Sequence, residues 1–225
     1  MPPKSKFMRN FPNYLTMGRM LAVPLIILVM MFIWPDYPVL REEKSVLPIW
    51  IKILEIINPR GEHNEYLSFT AAMIFIIASM TDLLDGYLAR KWEVVSKVGG
   101  LLDPLADKLM VMTVMVMLVP LGRLPAWMVV IVLAREISVT ALRAIASSEG
   151  KQVIEASALG KYKTIFQMIG LAALLIHYKS PFFKGADFHN MGAVLFLVAF
   201  FFTLWSGFDY FVKYWKSSIQ SPESG

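Results

Sequence analysis

The chain contains no cysteine, and its 225 residues include only three histidines, His63, His177 and His189. Without cysteine there is no disulfide, no thiolate ligand and no cysteine nucleophile, although the absence leaves the compartment open. The histidines are scattered and none has zinc-ligand spacing, so zinc is not expected. Internal repeats are missing too, which argues against a transporter built from repeated halves. What is abundant is apolar. Hydrophobic residues make up 56% of the chain and the mean hydropathy is +0.55, too high for an ordinary soluble domain. The length suits about six spans with short loops. The expected fold class is therefore all-α: a polytopic membrane protein of six transmembrane helices, forming a single domain over 1–225.

A net charge of +5 and a pI near 9.3 would suit a nucleic-acid binder. The basic residues cluster at the ends of apolar runs, however, where the positive-inside rule explains them, and no nucleic-acid partner is expected. The runs are 15–34, 67–89, 100–119, 127–145, 165–178 with a preceding turn at 159–164, and 191–211. Lys4, Lys6 and Arg9 precede the first run as in a secretory signal. About 20 apolar residues with no small-residue cleavage site make it a retained span instead. Asn13 or Thr16 is its candidate cap, after a short cytoplasmic segment at 1–14.

The connection 37–66 mixes charges with an apolar patch at 49–57, too short to cross and read as a helix lying on the membrane surface. The stretch 120–125, with two prolines and a glycine, reads as a tight turn. With a cytoplasmic amino terminus, the short outer turns hold only Arg123, Lys179 and Lys184, so both termini face the cytoplasm and 37–66 lies outside. Met110, Met112, Met115 and Met117 read as adaptable packing. Trp34, Trp127, Trp205, Tyr210 and Trp215 read as an interfacial belt.

Against this apolar background stand four aspartates, Asp82, Asp85, Asp103 and Asp107. A carboxylate at the bilayer centre costs roughly 3 kcal/mol or more, so the group marks a functional site. Asp82 and Asp85 are three apart, Asp103 and Asp107 four apart, and each pair shares one face of its helix. Two facing pairs form a cage of hard oxygen ligands suited to magnesium, manganese or calcium. The carboxylates would repel one another without cations, which implies a pair of metal ions. Two ions about 4 Å apart clamp phosphoryl groups during in-line displacement. Arg90, at the end of the same helix, adds a planar cation suited to phosphate. Gly86 and Ala89 leave a smooth backbone face, readable either as room for a nucleotide or as helix packing. Arg19 lies a turn inside an apolar run, where an unpaired cation is costly, and should face the cage or a phosphate.

The pattern D-x-x-D-G-x-x-A-R, eight residues, G-x-x-x-D-x-x-x-D is complete over the 26 positions from Asp82 to Asp107. It resembles the signature of the CDP-alcohol phosphotransferase family. The resemblance implies a six-helix membrane enzyme that joins a CDP-linked lipid or alcohol to an acceptor hydroxyl, releasing CMP with the help of Mg2+ or Mn2+. It also implies homodimers among membrane lipids. In that light Asp82, Asp85 and Asp103 hold metal, and Asp107 is the general base, with a fourth metal ligand as the alternative or additional role. Gly86, Ala89, Arg90 and Ser96 border the nucleotide of CDP-diacylglycerol. Phe11, Pro12, Asn13 and Tyr14 match a Pro-Asn-x-Leu-Thr start that approaches the same group.

The acceptor is read from two further stretches, Arg135-Glu136 through Arg143 and Gly160-Lys161-Tyr-Lys163-Thr164. Inositol or serine would not need so many cations, whereas an acceptor with its own phosphate would. Both stretches resemble those of the branch that uses sn-glycerol 3-phosphate, the phosphatidylglycerophosphate synthases. This implies the first committed step of phosphatidylglycerol synthesis in a bacterial cytoplasmic membrane, with the active site facing the cytoplasm. Arg135, Arg143 and Lys161 are the expected acceptor-phosphate ligands. Glu136 is expected to hold Arg135. Lys151 and Lys163 are read mainly as topological charges, Lys163 being the weaker acceptor candidate. Alternatives are the same chemistry with another acceptor, as in a cardiolipin synthase, and a divalent-cation transporter, since intramembrane aspartates also mark ion paths.

Overall fold

The computed structural model describes residues 6–33, 63–92, 97–148, 158–177 and 187–220, which are helical without strands. The helices are α1 (Lys6–Met31), α2 (Asn64–Trp92), α3 (Lys97–Leu118), α4 (Ala126–Ser148), α5 (Ala158–Ile176) and α6 (Phe188–Gln220). Each contains one of the six apolar runs or most of it. Two starts differ from expectation. Helix α1 begins at Lys6, so Asn13 and Thr16 lie inside it and cap nothing; once nucleated, a helix propagates at little cost through such residues. Helix α3 begins at Lys97 and places Pro104 two turns in, where it withholds the N–H due to the carbonyl of Gly100. The patch at 49–57 falls outside the described residues, as does the connection 34–62.

Among the described residues one helical stretch, Phe188–Lys216, is long and apolar enough to cross a membrane by itself. Met17–Met31, Lys108–Leu118 and Tyr162–Ile176 are shorter apolar stretches. The core joins Ile26 and Met30 of α1, Ala71 and Phe75 of α2, and Met110, Val114 and Leu118 of α3 to Val132 of α4, Leu171 and Leu174 of α5, and Phe196 and Phe200 of α6. These come from the later part of α1, α3 and α5 and the earlier part of α2, α4 and α6. One cluster can be built this way only if successive helices alternate in direction. Of the buried polar residues, Arg19, Lys163, Thr203 and Ser206 lie in the opposite halves, Gln167 lies mid-helix, and Asn64, Ser68 and Arg123 lie at the end that holds the core.

Helices α5 and α6 pack backbone to backbone. A Cβ on Gly192 would stand 2.8 Å from the amide nitrogen of Leu174 and 2.9 Å from the carbonyl oxygen of Gly170, so neither chain has room to give. Gly192→Val is expected to cost about 1–3 kcal/mol and to lower the apparent melting temperature in detergent. Gly18→Ala is the control, since a Cβ there meets nothing within 4 Å and the melting temperature should hold.

The expected turn at 120–125 closes α3 as a Schellman motif. Gly122 has φ 76°, its N–H bonds the carbonyl of Val119 at 2.9 Å, and the N–H of Arg123 bonds that of Leu118 at 3.0 Å. Arg123, one of the few cations assigned to the outer turns, is not a surface charge. It is 3% exposed and donates through Nη1 to the carbonyls of Leu174 (3.4 Å) and Leu175 (3.0 Å) and through Nη2 to Ser68 Oγ (3.0 Å). One guanidinium thus caps α5 and ties it to α2. The scattered histidines also meet in part: His177, at φ 57°, ends α5 with its Nδ1 3.1 Å from Nδ1 of His189 on α6.

Candidate active site

Four residues, 93–96, join α2 to α3, so both aspartate pairs lie near the joined ends. By helix rise, Asp82 and Asp107 each stand about 15 Å along their helices from that connection, and Asp85 and Asp103 each about 10 Å. The backbone therefore brings the four positions to one end of two helices, in matched heights. Their side chains fall outside the described residues, as do those of Phe11, Pro12, Asn13, Tyr14, Gly86, Ala89, Arg90 and Lys161, and all of Ser96.

Arg19 is 1% exposed and borders a groove of about 310 Å³ between α1 and α2. The groove is lined by Gly18, Ala22, Ile74, Ile77 and Ala78 and runs to Thr81, the residue before Asp82. Small side chains at Gly18, Ala22 and Ala78 keep it open beside the arginine.

A second cavity, of about 140 Å³, lies between α3, α4 and α5. Helix α3 lines it with Lys108, Val111, Met112 and Met115, spaced three and four apart as one face requires. Asp107 precedes Lys108 in sequence and holds the register position one turn before Val111. Helix α4 contributes Glu136, and α5 contributes Lys163, Thr164, Gln167 and Met168. Gln167 donates to the sulfur of Met115 at 3.3 Å, which fixes the apolar floor. Met110 and Met115 are fully buried, in accord with the packing role read for the methionines.

The charges around this cavity form one network centred on Glu136. Its Oε1 accepts from Arg135 Nη1 at 3.0 Å and from Lys163 Nζ, which is 6% exposed. Lys163 is therefore a buried interior cation and not a topological charge at a helix end. The carbonyl of Glu136 accepts from Thr140 Oγ1 at 2.7 Å, and that hydroxyl in turn accepts from Lys108 Nζ. Arg135 donates through Nη2 to Ser206 Oγ of α6 at 2.7 Å, with its stem against Gly207, where a Cβ would stand 2.9 Å from Arg135 Cγ.

Arg143, about two turns beyond Glu136 on the same face of α4, lies over the ring of Tyr210 at 5.4 Å. Tyr210 is thus a buried brace, unlike the exposed belt residues Trp127, Trp205 and Trp215. Arg135 Nε, Arg143 Nε and Tyr210 Oη are buried with no hydrogen-bond partner among the described residues. Buried polar atoms left so are costly and are commonly completed by water or a ligand.

Sequence reasoning missed Lys108, Thr140, Ser206 and Tyr210 in this arrangement. Lys108 carried a usable signal, since a lysine inside an apolar run is as costly as Arg19. The hydroxyls carried none.

Comparison with known proteins bears directly on this end of the bundle. The profile of the CDP-alcohol phosphatidyltransferase family matches residues 9–205, which contain the acidic motif and every residue of the cavity. The chain belongs to this family. It is 38% identical over 216 residues to the CDP-diacylglycerol–glycerol-3-phosphate 3-phosphatidyltransferase of Bacillus subtilis (strain 168), covering 93% of this chain and 97% of that protein. The protein of the same description from Rickettsia typhi is 32% identical over 204 residues, covering 91% and 96%. One from Arabidopsis thaliana is 40% identical over 157 residues, covering 64% and 66%.

Proposed function

We propose that this family member transfers the phosphatidyl group of CDP-diacylglycerol to the hydroxyl of sn-glycerol 3-phosphate, releasing CMP. The carrying observation is the cavity between α3, α4 and α5, where Lys108 and Lys163 stand beside the position of Asp107. Full-length relatives described by this reaction support the reading. A neutral acceptor such as inositol would gain nothing from the buried Lys163 and half-buried Lys108 backed by Arg135, whereas a phosphate monoester gains charge-assisted hydrogen bonds. Arg143, and Lys161 at the start of α5, complete the acceptor-phosphate ligands on this reading. The unpartnered Nε atoms of Arg135 and Arg143 and the Tyr210 hydroxyl fit a polar headgroup at this end.

In the reaction, the acceptor oxygen attacks the phosphorus bearing the diacylglycerol, the bond to the CMP oxygen breaks, and the acceptor proton passes to Asp107. A carboxylate is a weak base, so placing it beside the hydroxyl carries much of its effect. Arg90, with Gly86, Ala89, Ser96 and residues 11–14, positions the cytidine diphosphate. Arg19 stands at the polar end of the α1–α2 groove, next to the acidic positions. The donor set, four carboxylates at matched heights, is chemically suited to Mg2+ or Mn2+. When bound, one or two such ions would be held by Asp82, Asp85, Asp103 and Asp107 and would neutralise phosphate charge.

The same reading makes the protein a six-span homodimer in a bacterial cytoplasmic membrane, with this polar end at the cytoplasmic face. Exposed apolar residues along α1, Met17, Leu21, Leu25, Leu28 and Met31, fit contact with lipid. Purified protein given CDP-diacylglycerol, magnesium and a panel of acceptors tests the function. Glycerol 3-phosphate alone should support CMP release. Release only with phosphatidylglycerol would move the protein to cardiolipin-type synthesis, and no release with any acceptor would overturn the reading.

A further inference from the structure

Among the described residues Glu136 is the only carboxylate that lines the α3–α4–α5 cavity, and the described cations beside it are organised around that one side chain. Arg135 and Lys163 both donate to its Oε1, and Lys108 is tied through the Thr140 hydroxyl to its carbonyl. Helices α3 and α5 each bring a lysine to the cavity wall and α4 holds Arg135 behind it, with Glu136 joining all three. Without an opposing charge, Lys163 and Arg135 would repel each other in a buried setting and turn away. The carboxylate also sets the residual charge. Among the described residues here, two lysines with Arg135 behind them face one carboxylate, an excess of positive charge that favours a phosphate monoester, close to doubly negative near neutral pH. A phosphodiester headgroup brings one negative charge and a free polyol brings none.

We infer that Glu136, with Thr140, is the positioning element of the acceptor site, and that Lys108 and Lys163 join Arg135 as the cations that select a phosphate monoester. The inference rests on the acceptor reading above and names the residues that make the acceptor site selective. Glu136 acts through the cations it holds and exchanges no proton with substrate. Lys108 links the two sites, because it follows Asp107 in the chain and faces the cavity.

The test is steady-state kinetics of the full-length protein in detergent, with each substrate varied in turn. Glu136→Gln keeps the shape and removes the charge. It should raise KM for glycerol 3-phosphate about tenfold to a hundredfold, the range for one lost charge-assisted bond, while KM for CDP-diacylglycerol stays within about twofold. Glu136→Asp should recover part of the loss. Inhibition by inorganic phosphate, which reads the cation cluster alone, should weaken in parallel in Glu136→Gln and Lys108→Met.

Thr140→Val removes only the hydroxyl that holds Lys108 and keeps the test open should Glu136→Gln fold poorly. It should raise KM for the acceptor with no change in melting temperature. Unchanged acceptor KM and unchanged phosphate inhibition in Thr140→Val and Lys108→Met, in an enzyme that uses glycerol 3-phosphate, would overturn the inference. Equal losses for both substrates, tracking the melting temperature, would also overturn it by showing a structural role. A wild-type protein inactive with glycerol 3-phosphate would instead sink the acceptor reading itself.

Discussion

Asp107→Asn is expected to reduce CMP release by about 10²–10⁴-fold, the span for loss of a positioned general base. Asparagine keeps the shape of the side chain and cannot accept the proton of the acceptor hydroxyl. Binding of CDP-diacylglycerol, measured by displacement of a labelled nucleotide, should weaken far less, because Asp82, Asp85 and Asp103 remain in place. A variant that binds donor and still turns over at near wild-type rate would remove Asp107 as base. A variant that loses donor binding to the same degree as activity would mark it as chiefly a metal ligand. Asp107 adjoins Lys108 in sequence and stands one helical turn before Val111, both of which line the cavity, so on the proposed reading proton acceptance and acceptor placement depend on the same few residues of α3.

Arg123→Ala should destabilise the fold by about 3 kcal/mol or more, the largest loss expected from a residue remote from the chemistry. Its guanidinium makes three buried hydrogen bonds, and truncation leaves the carbonyls of Leu174 and Leu175 and the hydroxyl of Ser68 without that donor. At this chain length that loss corresponds to a fall of about 6–12 °C in apparent melting temperature. Arg123→Lys should recover little, because one ammonium cannot span the same acceptors as a planar fork. The kinetic constants of whatever remains folded should be close to wild type, since Arg123 lies in the turn before α4, about 15 Å or more along the helix from Glu136. A melting temperature within about 2 °C of wild type would show that the α5 carbonyls find other donors, and would remove Arg123 as the tie between α2 and α5.

The acidic motif was legible because a charge inside an apolar run is costly wherever that run meets lipid, and the four aspartates from Asp82 to Asp107 stand out from the sequence for that reason. The helices were legible in the same way, since each long apolar run needs intrachain hydrogen bonding. Their ends were less so: α1 runs back to Lys6, past the residues that read as a cap, and α3 begins at Lys97, ahead of its apolar run, because helix ends are set by small differences in local free energy.

The side chains that complete the candidate acceptor site were less legible, and rotation is the cause. Positions two apart on a helix differ by about 200° in direction, so the sequence could not choose between Lys161 and Lys163 as the residue facing the interior. The packing of α5 against α3 and α4 places Lys163 beside Glu136. Arg123 is a similar case. In sequence it is one cation in an outer turn, and only the approach of α5 and α2 to that turn makes it a buried cap.

By itself, then, the sequence determined that this chain is helical and apolar and carries a clustered acidic motif, because those properties follow from spacing along a single helix and from the cost of charge in a low-dielectric setting. Only the tertiary structure decided which cations meet which carboxylate, where the cavities open and which turn residue holds the bundle together. Those depend on how separate helices rotate against one another, and no local pattern encodes that rotation.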